Sequence, residues 1–312
     1  MVDYTEMSRS LHTLLTRARG GQFPVGLCSC ISPIVTEIAA LGGFGYILIN
    51  QEHTIIDSQS DLAEHVRAAH ITGLPIFVKL NEWDPLAARN AMDLGICGVQ
   101  VPFINTAERL REAQASIRFP PYGNRGLCLV PRATHYGLQN RAAVEQASRF
   151  IDFSNRTAIV IPMIESVEAL ENLDEILAVP DVPIIALGPL DLGLSLGIGE
   201  QALNGDEEAA NELGRVLRDV AARAHAAGKL VMAPAAIAAH EEEVMVANRN
   251  NLPYVLDTQA LSHGMKEIVR ISELAKAKLE MASAASSRTD VKGGGQAPAE
   301  EEAIGCSALM RA

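Results

Sequence analysis

The chain has 312 residues, 48% of them hydrophobic, with a formal net charge of -12 at pH 7 and a pI near 5.2. An acidic balance argues against nucleic acid and anionic membrane surfaces as partners, because their phosphates need basic groups. It does not exclude a small anion bound where a few cationic groups and backbone N–H donors converge in one cleft.

The N-terminal stretch MVDYTEMSRSLHTLL has no apolar core of signal-peptide length. No apolar run approaches the roughly 18 residues of a membrane span. A cytoplasmic protein is expected. From about Pro24 to Met281, short β-rich runs alternate with amphipathic helical stretches. The runs are VGLCSC (25–30), YILIN (46–50), IFVKL (76–80), GVQVP (98–102), AIVIPMI (158–164), PIIALG (183–188), LVMAP (230–234) and PYVLDT (253–258). Most are continuously apolar, as parallel strands covered on both faces should be. Eight such units with helical crossovers predict a (β/α)8 TIM barrel; a doubly wound sheet is the other arrangement the count allows. No GxGxxG or GxxxxGK[ST] opens any of the helices, which weakens a nucleotide-binding reading.

The segment between the fourth and fifth runs is long and contains FPPYGNRG (119–126). Beyond about Ala282 the chain is rich in Ser, Ala, Gly and charge with no hydrophobic period. The expected division is a barrel domain with its N-terminal helix over 1–282 and a disordered tail over 283–312. The five cysteines are odd in number and lack zinc-site spacing, so Cys28, Cys30, Cys97, Cys128 and Cys306 are read as buried thiols in a reducing compartment.

In a barrel of this kind the active-site groups gather at the C-terminal ends of the strands. The second strand ends in Asn50, Gln51, Glu52 and His53, and the third in Lys79. Glu165 follows the fifth and Asp191 the sixth. Tips of neighbouring strands lie roughly 5 Å apart. Glu165 and Asp191 are therefore able to share one cation, and two carboxylates with the remaining positions left open suit Mg²⁺ or Mn²⁺, or Co²⁺. Alternatively, each carboxylate caps the helix that follows it. The GPLDLG turn places helix N–H groups where a substrate carboxylate would rest.

The order and spacing of GGFGYILINQEH, FVKLN, DLGICGVQVPFINTAE, RFPPYGNRG, IPMIESVEALENLDEILAV and ALGPLDLGLSLG, over about residues 20–275, resemble the HpcH/HpaI aldolase family of metal-dependent class II aldolases acting on 2-oxo acids. The resemblance implies the barrel, a C-terminal helix swapped between paired subunits, and a trimeric or hexameric homo-oligomer. It implies that Glu165 and Asp191 hold the metal. Gly188 and Leu190 would lie beside the substrate carboxylate, and His53 would transfer a proton through metal-bound water. The implied reaction is formation of an enolate from a 2-oxo acid and its addition to an aldehyde, or the reverse cleavage.

Two positions depart from the family pattern. Asn50 stands where the family has an aspartate, and a neutral amide cannot stabilise an imidazolium by charge. Lys79 stands where the family has an arginine, so a planar fork becomes a point donor. Lys79 is expected to neutralise the enolate; the other readings are a Schiff-base lysine and a solvated lysine at a strand end. These departures open a second activity, an oxaloacetate decarboxylase or a condensing or cyclising synthase, as in macrophomate synthase, a relative of the family. A third reading is an oligomeric barrel without catalysis. Arg125 is expected near the barrel mouth, holding either its loop or the far end of a substrate. Trp83 is placed in the pocket or in packing, and His135 and Tyr136 in the loop above the site. The resemblance also implies Asp84 as a candidate for reaching a neighbouring subunit's site. His65, His70, His225 and His240 are read as packed or surface residues.

Overall fold

The apolar runs form eight parallel strands, joined in chain order and closed by pairing of the last with the first. They are β1 (Gly26–Ser29), β2 (Tyr46–Asn50), β3 (Ile76–Lys79), β4 (Gly98–Val101), β5 (Ile159–Ile164), β6 (Ile184–Leu187), β7 (Leu230–Pro234) and β8 (Asn251–Leu256). This is the expected (β/α)8 barrel. The structure, a computed structural model, describes residues 4–29, 31–54, 56, 58–137, 143–234 and 251–289. Cys30, His240, Cys306 and the chain from Asp290 onward lie outside the described residues.

Strand alternation sorts the core into two layers. Tyr46, Leu48, Phe77, Ile161, Met163, Ile184, Met232 and Leu252 fill the barrel interior. Ile47, Ile49, Val78, Val99, Val160 and Ile185 face outward and pack under the helices. This is why the strands read as unbroken apolar runs. At the base, the Tyr46 hydroxyl donates to the carbonyls of Leu252 and Pro253 at 2.9 and 3.1 Å. Gly26 leaves room for that ring: a Cβ there would fall 2.2 Å from Tyr46 Cζ.

The connections are set by short polar side chains at helix starts. After the N-terminal helix α1 (Tyr4–Arg19), Ser32 accepts from the Ile34 N–H and opens α2 (Pro33–Leu41). Ser58 accepts from the Asp61 N–H and opens α3 (Gln59–Thr72). Asp84 accepts from the Leu86 N–H at 2.8 Å and opens α4 (Pro85–Leu94), with Pro85 at the first helical position. Thr106 does the same for α5 (Ala107–Ile117). Asp84 is therefore a helix cap within this chain.

The long β4–β5 connection carries α5, a turn over Arg132–Gly137 and α6 (Ala143–Thr157). Arg132 ties the turn down by donating to Leu94 O at 2.9 Å and to His70 Nδ1 at 2.7 Å, while His70 Nε2 reaches Gly95 O at 2.9 Å. His70 is thus the packed histidine expected of it. His65 is also buried.

The chain divides into a compact unit through Ala260 and a second unit from Leu261. The last helix, Asp257–Thr289, continues past residue 282, where the tail was expected to begin. Its alanine-rich end, MASAAS, has few helix breakers and strong helix propensity. Cys28 and Cys97 are buried, as expected; Cys128 is exposed, because it lies in the connection after α5 rather than in a strand.

Candidate active site

Alternation carries Asn50 on β2, Lys79 on β3 and Gln100 on β4 to the interior face, and the register aligns all three: Asn50 with Lys79, and Lys79 with Gln100. Glu165 directly follows β5. Gly188 follows β6 and precedes the short helix Pro189–Ser195. The polar groups thus enter from strand ends, where a barrel of this type builds its chemistry.

Glu165 is 1% exposed. Its Oε1 accepts the Phe103 N–H at 2.7 Å, and its Oε2 has no hydrogen-bond partner among the described residues. Phe103 adopts φ +50°, an uncommon conformation for a bulky residue, at the tip of β4 from which its N–H serves Glu165. Burial pushes the Glu165 carboxyl up to about 7; the Phe103 N–H and the Lys79 charge pull it back, and Glu52 and Asp191 add to the rise. Glu165 does not cap the next helix, because Ser166 does so by accepting the Ala169 N–H at 3.1 Å.

Gly188 lies against this carboxylate. A Cβ on Gly188 would fall 2.2 Å from Glu165 Oε2 and 2.6 Å from Glu165 Cβ. The Gly188 N–H is taken by Ile164 O at 3.2 Å, so the residue contributes room rather than a donor. Gly188 occupies the N-cap position of the Pro189–Ser195 helix without a side-chain cap. Asp191 is exposed in the first turn, where helix N–H groups have no intrahelical partner. Leu190 is 61% exposed beside it.

The Lys79 ammonium pairs with the Glu52 carboxylate, and both side chains are nearly buried. Asn50 Oδ1 accepts the Glu52 N–H at 3.1 Å, and Asn50 O accepts from Thr54 Oγ1 at 2.6 Å. The amide therefore shapes the strand tip that presents Glu52. His53 follows at φ +57°, exposed.

Gln100 was not singled out from the sequence, although it is the one polar side chain in GVQVP. It is fully buried, and neither its Nε2 nor its Oε1 has a hydrogen-bond partner among the described residues. Each such orphan costs about 1–3 kcal/mol.

Other candidates stand elsewhere. Arg125 is 3% exposed and donates to Asp93 Oδ1 at 2.5 Å and Ser154 Oγ at 3.2 Å, with its guanidinium 4.7 Å from the Phe119 ring centroid. Of its two expected roles, this geometry fits holding the loop. Trp83 is half-buried and packs on the outer core layer. His135 and Tyr136 lie in the Arg132–Gly137 turn, Tyr136 exposed.

The donor set fits a hard divalent cation. Glu165 Oε2 is buried and unspent, it stands in the room a side chain on Gly188 would fill, and the Asp191 charge adds to the rise in the Glu165 pKa. Among the described residues no three His, Cys, Asp or Glu side chains form a metal cluster. Two carboxylates with the other positions left to water or substrate are the Mg²⁺ pattern.

A model of the HpcH/HpaI aldolase/citrate lyase family matches residues 28–251. The chain is 37% identical over 172 residues to a 2-dehydro-3,6-dideoxy-6-sulfogluconate aldolase of Pseudomonas putida, a match covering 55% of this chain and 64% of that one. It is 32% identical over 221 residues to the 2-keto-3-deoxy-L-rhamnonate aldolase of Escherichia coli K12, covering 70% of this chain and 78% of that one. The fold superposes on macrophomate synthase with a TM-score of 0.67 at 20% identity, over 87% of this chain and 90% of the other. Closed barrel, strand-tip carboxylates and family match agree: the chain belongs to the HpcH/HpaI aldolase/citrate lyase family.

Proposed function

We propose that the protein is a divalent-metal-dependent carbon–carbon lyase that forms and uses the enolate of a 2-oxo acid. The observation that carries this reading is the buried, unpartnered Glu165 Oε2, which stands in the space Gly188 leaves. Glu165 and Asp191 would hold Mg²⁺, Mn²⁺ or Co²⁺. Such a cation, when bound, polarises a keto oxygen and stabilises negative charge developing on it.

The chain's own residues do the rest. The first-turn N–H groups of the Pro189–Ser195 helix, at Leu190 and Asp191, have no partner within the helix and suit a substrate carboxylate. Gly188 gives the Glu165 carboxylate its room. Lys79 supplies positive charge to the enolate oxygen, and Glu52 fixes where that ammonium stands. His53 is assigned proton transfer. Asn50 orders the strand tip that bears both Glu52 and His53. The named aldolases among the relatives support a hydroxylated 2-oxo acid of sugar-acid type as substrate.

A second reading draws on one observation: Asn50 Oδ1 serves the Glu52 N–H. His53 then lacks the anionic support a base gains from an aspartate. Loss of CO₂ from oxaloacetate yields the same enolate without removing a proton from carbon, so decarboxylation, or a condensation that follows it, would tolerate a weak base.

The protein is further proposed to act as a homo-oligomer. On the final helix Leu261, Met265, Ile268, Val269, Ile271 and Leu274 are exposed, an apolar surface that a second copy would cover. No described helix is long and apolar enough to cross a membrane.

The test is pyruvate release from a panel of 4-hydroxy-2-oxo acids with Mg²⁺, repeated with EDTA, alongside oxaloacetate. Metal-dependent cleavage of the hydroxy acids supports the aldolase reading, and turnover of oxaloacetate alone supports the second. Inertness toward both would leave a non-catalytic barrel.

A further inference from the structure

We propose that Gln100 is a substrate-binding residue on the floor of this site, its Nε2 donating to an oxygen of the bound 2-oxo acid and its Oε1 accepting from Lys79. The inference rests on the proposed 2-oxo acid chemistry and adds a recognition residue to it.

Position comes first. Gln100 lies inward on β4, in register with Lys79 on one side and Ile161 on the other. Three residues further along the same strand end, Phe103 holds Glu165. The amide is thus flanked by the cation of β3 and by the segment that fixes the buried carboxylate. The interior below it is apolar, lined by Leu48, Phe77 and Ile161.

Chemistry comes second. A fully buried side chain in this layer is ordinarily apolar, as Leu48, Phe77 and Ile161 are. Gln100 breaks that rule with both ends of its amide unmet among the described residues. A buried amide without partners is destabilising unless a ligand or an enclosed water meets it. Lys79 carries three N–H donors and Glu52 accepts only part of that capacity. Oε1 is an acceptor of the right kind for the remainder, on the adjacent strand. That leaves Nε2 as a neutral donor for an anionic ligand, matched to a carboxylate or enolate oxygen.

The experiment compares full-length wild type with Gln100→Met, close in volume but unable to donate, and Gln100→Glu, close in shape but anionic. Pyruvate binding is measured by calorimetry with Mg²⁺ present, and Mn²⁺ binding by paramagnetic resonance. The expected result is a loss of pyruvate affinity of about tenfold or more in Gln100→Met, a larger loss in Gln100→Glu, and wild-type Mn²⁺ affinity in Gln100→Met. Unchanged pyruvate affinity in either folded variant would overturn the assignment and leave enclosed water as the partner of the amide. Loss of Mn²⁺ affinity in Gln100→Met would also overturn it, since the site would then have collapsed. Absence of pyruvate binding in the wild type would sink the proposed function itself, a result distinct from failure of the variants.

Discussion

Glu165 Oε2 occupies the space a Cβ on Gly188 would need, 2.2 Å from it. One side chain's use of a buried site therefore depends on another residue having no side chain. Gly188→Ala is expected to displace the carboxylate. Mn²⁺ affinity should fall sharply and turnover by about 10²-fold or more, with circular dichroism unchanged. Retention of metal affinity would mean that Glu165 is not a ligand.

Lys79 and Glu52 form a nearly buried ion pair. An ammonium held against a carboxylate has no lone pair for a carbonyl, so borohydride with pyruvate should not inactivate the enzyme. Lys79→Met should lower turnover by about 10²–10³-fold, the usual scale for losing one stabilising donor. Metal binding should survive. Trapping of Lys79 as a reduced adduct, insensitive to EDTA, would replace the metal mechanism with an imine one.

The Glu165 carboxyl sits at about 7 against an ordinary value of 4.5. Raised in the folded state, it contributes stability that is complete below pH 4.5 and lost as pH rises through about 7. In EDTA, Glu165→Gln should therefore gain on wild type between pH 5 and pH 8, by about 3 kcal/mol at most. Saturating Mg²⁺ should stabilise wild type above pH 7 and leave the variant unmoved. Calorimetric melting at several pH values checks both signs.

Arg125 is committed to Asp93, Ser154 and the Phe119 ring. Arg125→Met should cost about 1–3 kcal/mol of stability, because it strands partners of a buried cation. At a temperature where the variant is folded, KM for the 2-oxo acid should match wild type. A large rise in KM without loss of stability would return Arg125 to the substrate.

The fold was legible because parallel strands buried on both faces read as unbroken apolar runs. Their ends were less so. β8 starts at Asn251 and ends at Leu256, because Asp257 leaves the strand to accept the Ile31 N–H and the Ser29 hydroxyl. Glu165 and Asp191 were readable as strand-tip acids in family motifs. Partner choice was not. Whether Asn50 faces His53 or the Glu52 N–H, and whether Lys79 stands alone or meets Glu52, depends on how three strand tips converge. A linear reading also passes over Gln100, since one amide in an apolar run has no local signature; only burial without partners makes it conspicuous.

Exchange of the pyruvate methyl protons in heavy water, followed by proton resonance, tests the central claim most directly. It requires only proton removal from the methyl carbon to give the enolate, whatever the electrophile. The expected result is Mg²⁺-dependent loss of the methyl signal, abolished by EDTA and by Glu165→Gln, and slowed in Lys79→Met. Failure of the wild type to exchange with Mg²⁺, Mn²⁺ or Co²⁺, or exchange that persists in EDTA, would contradict it.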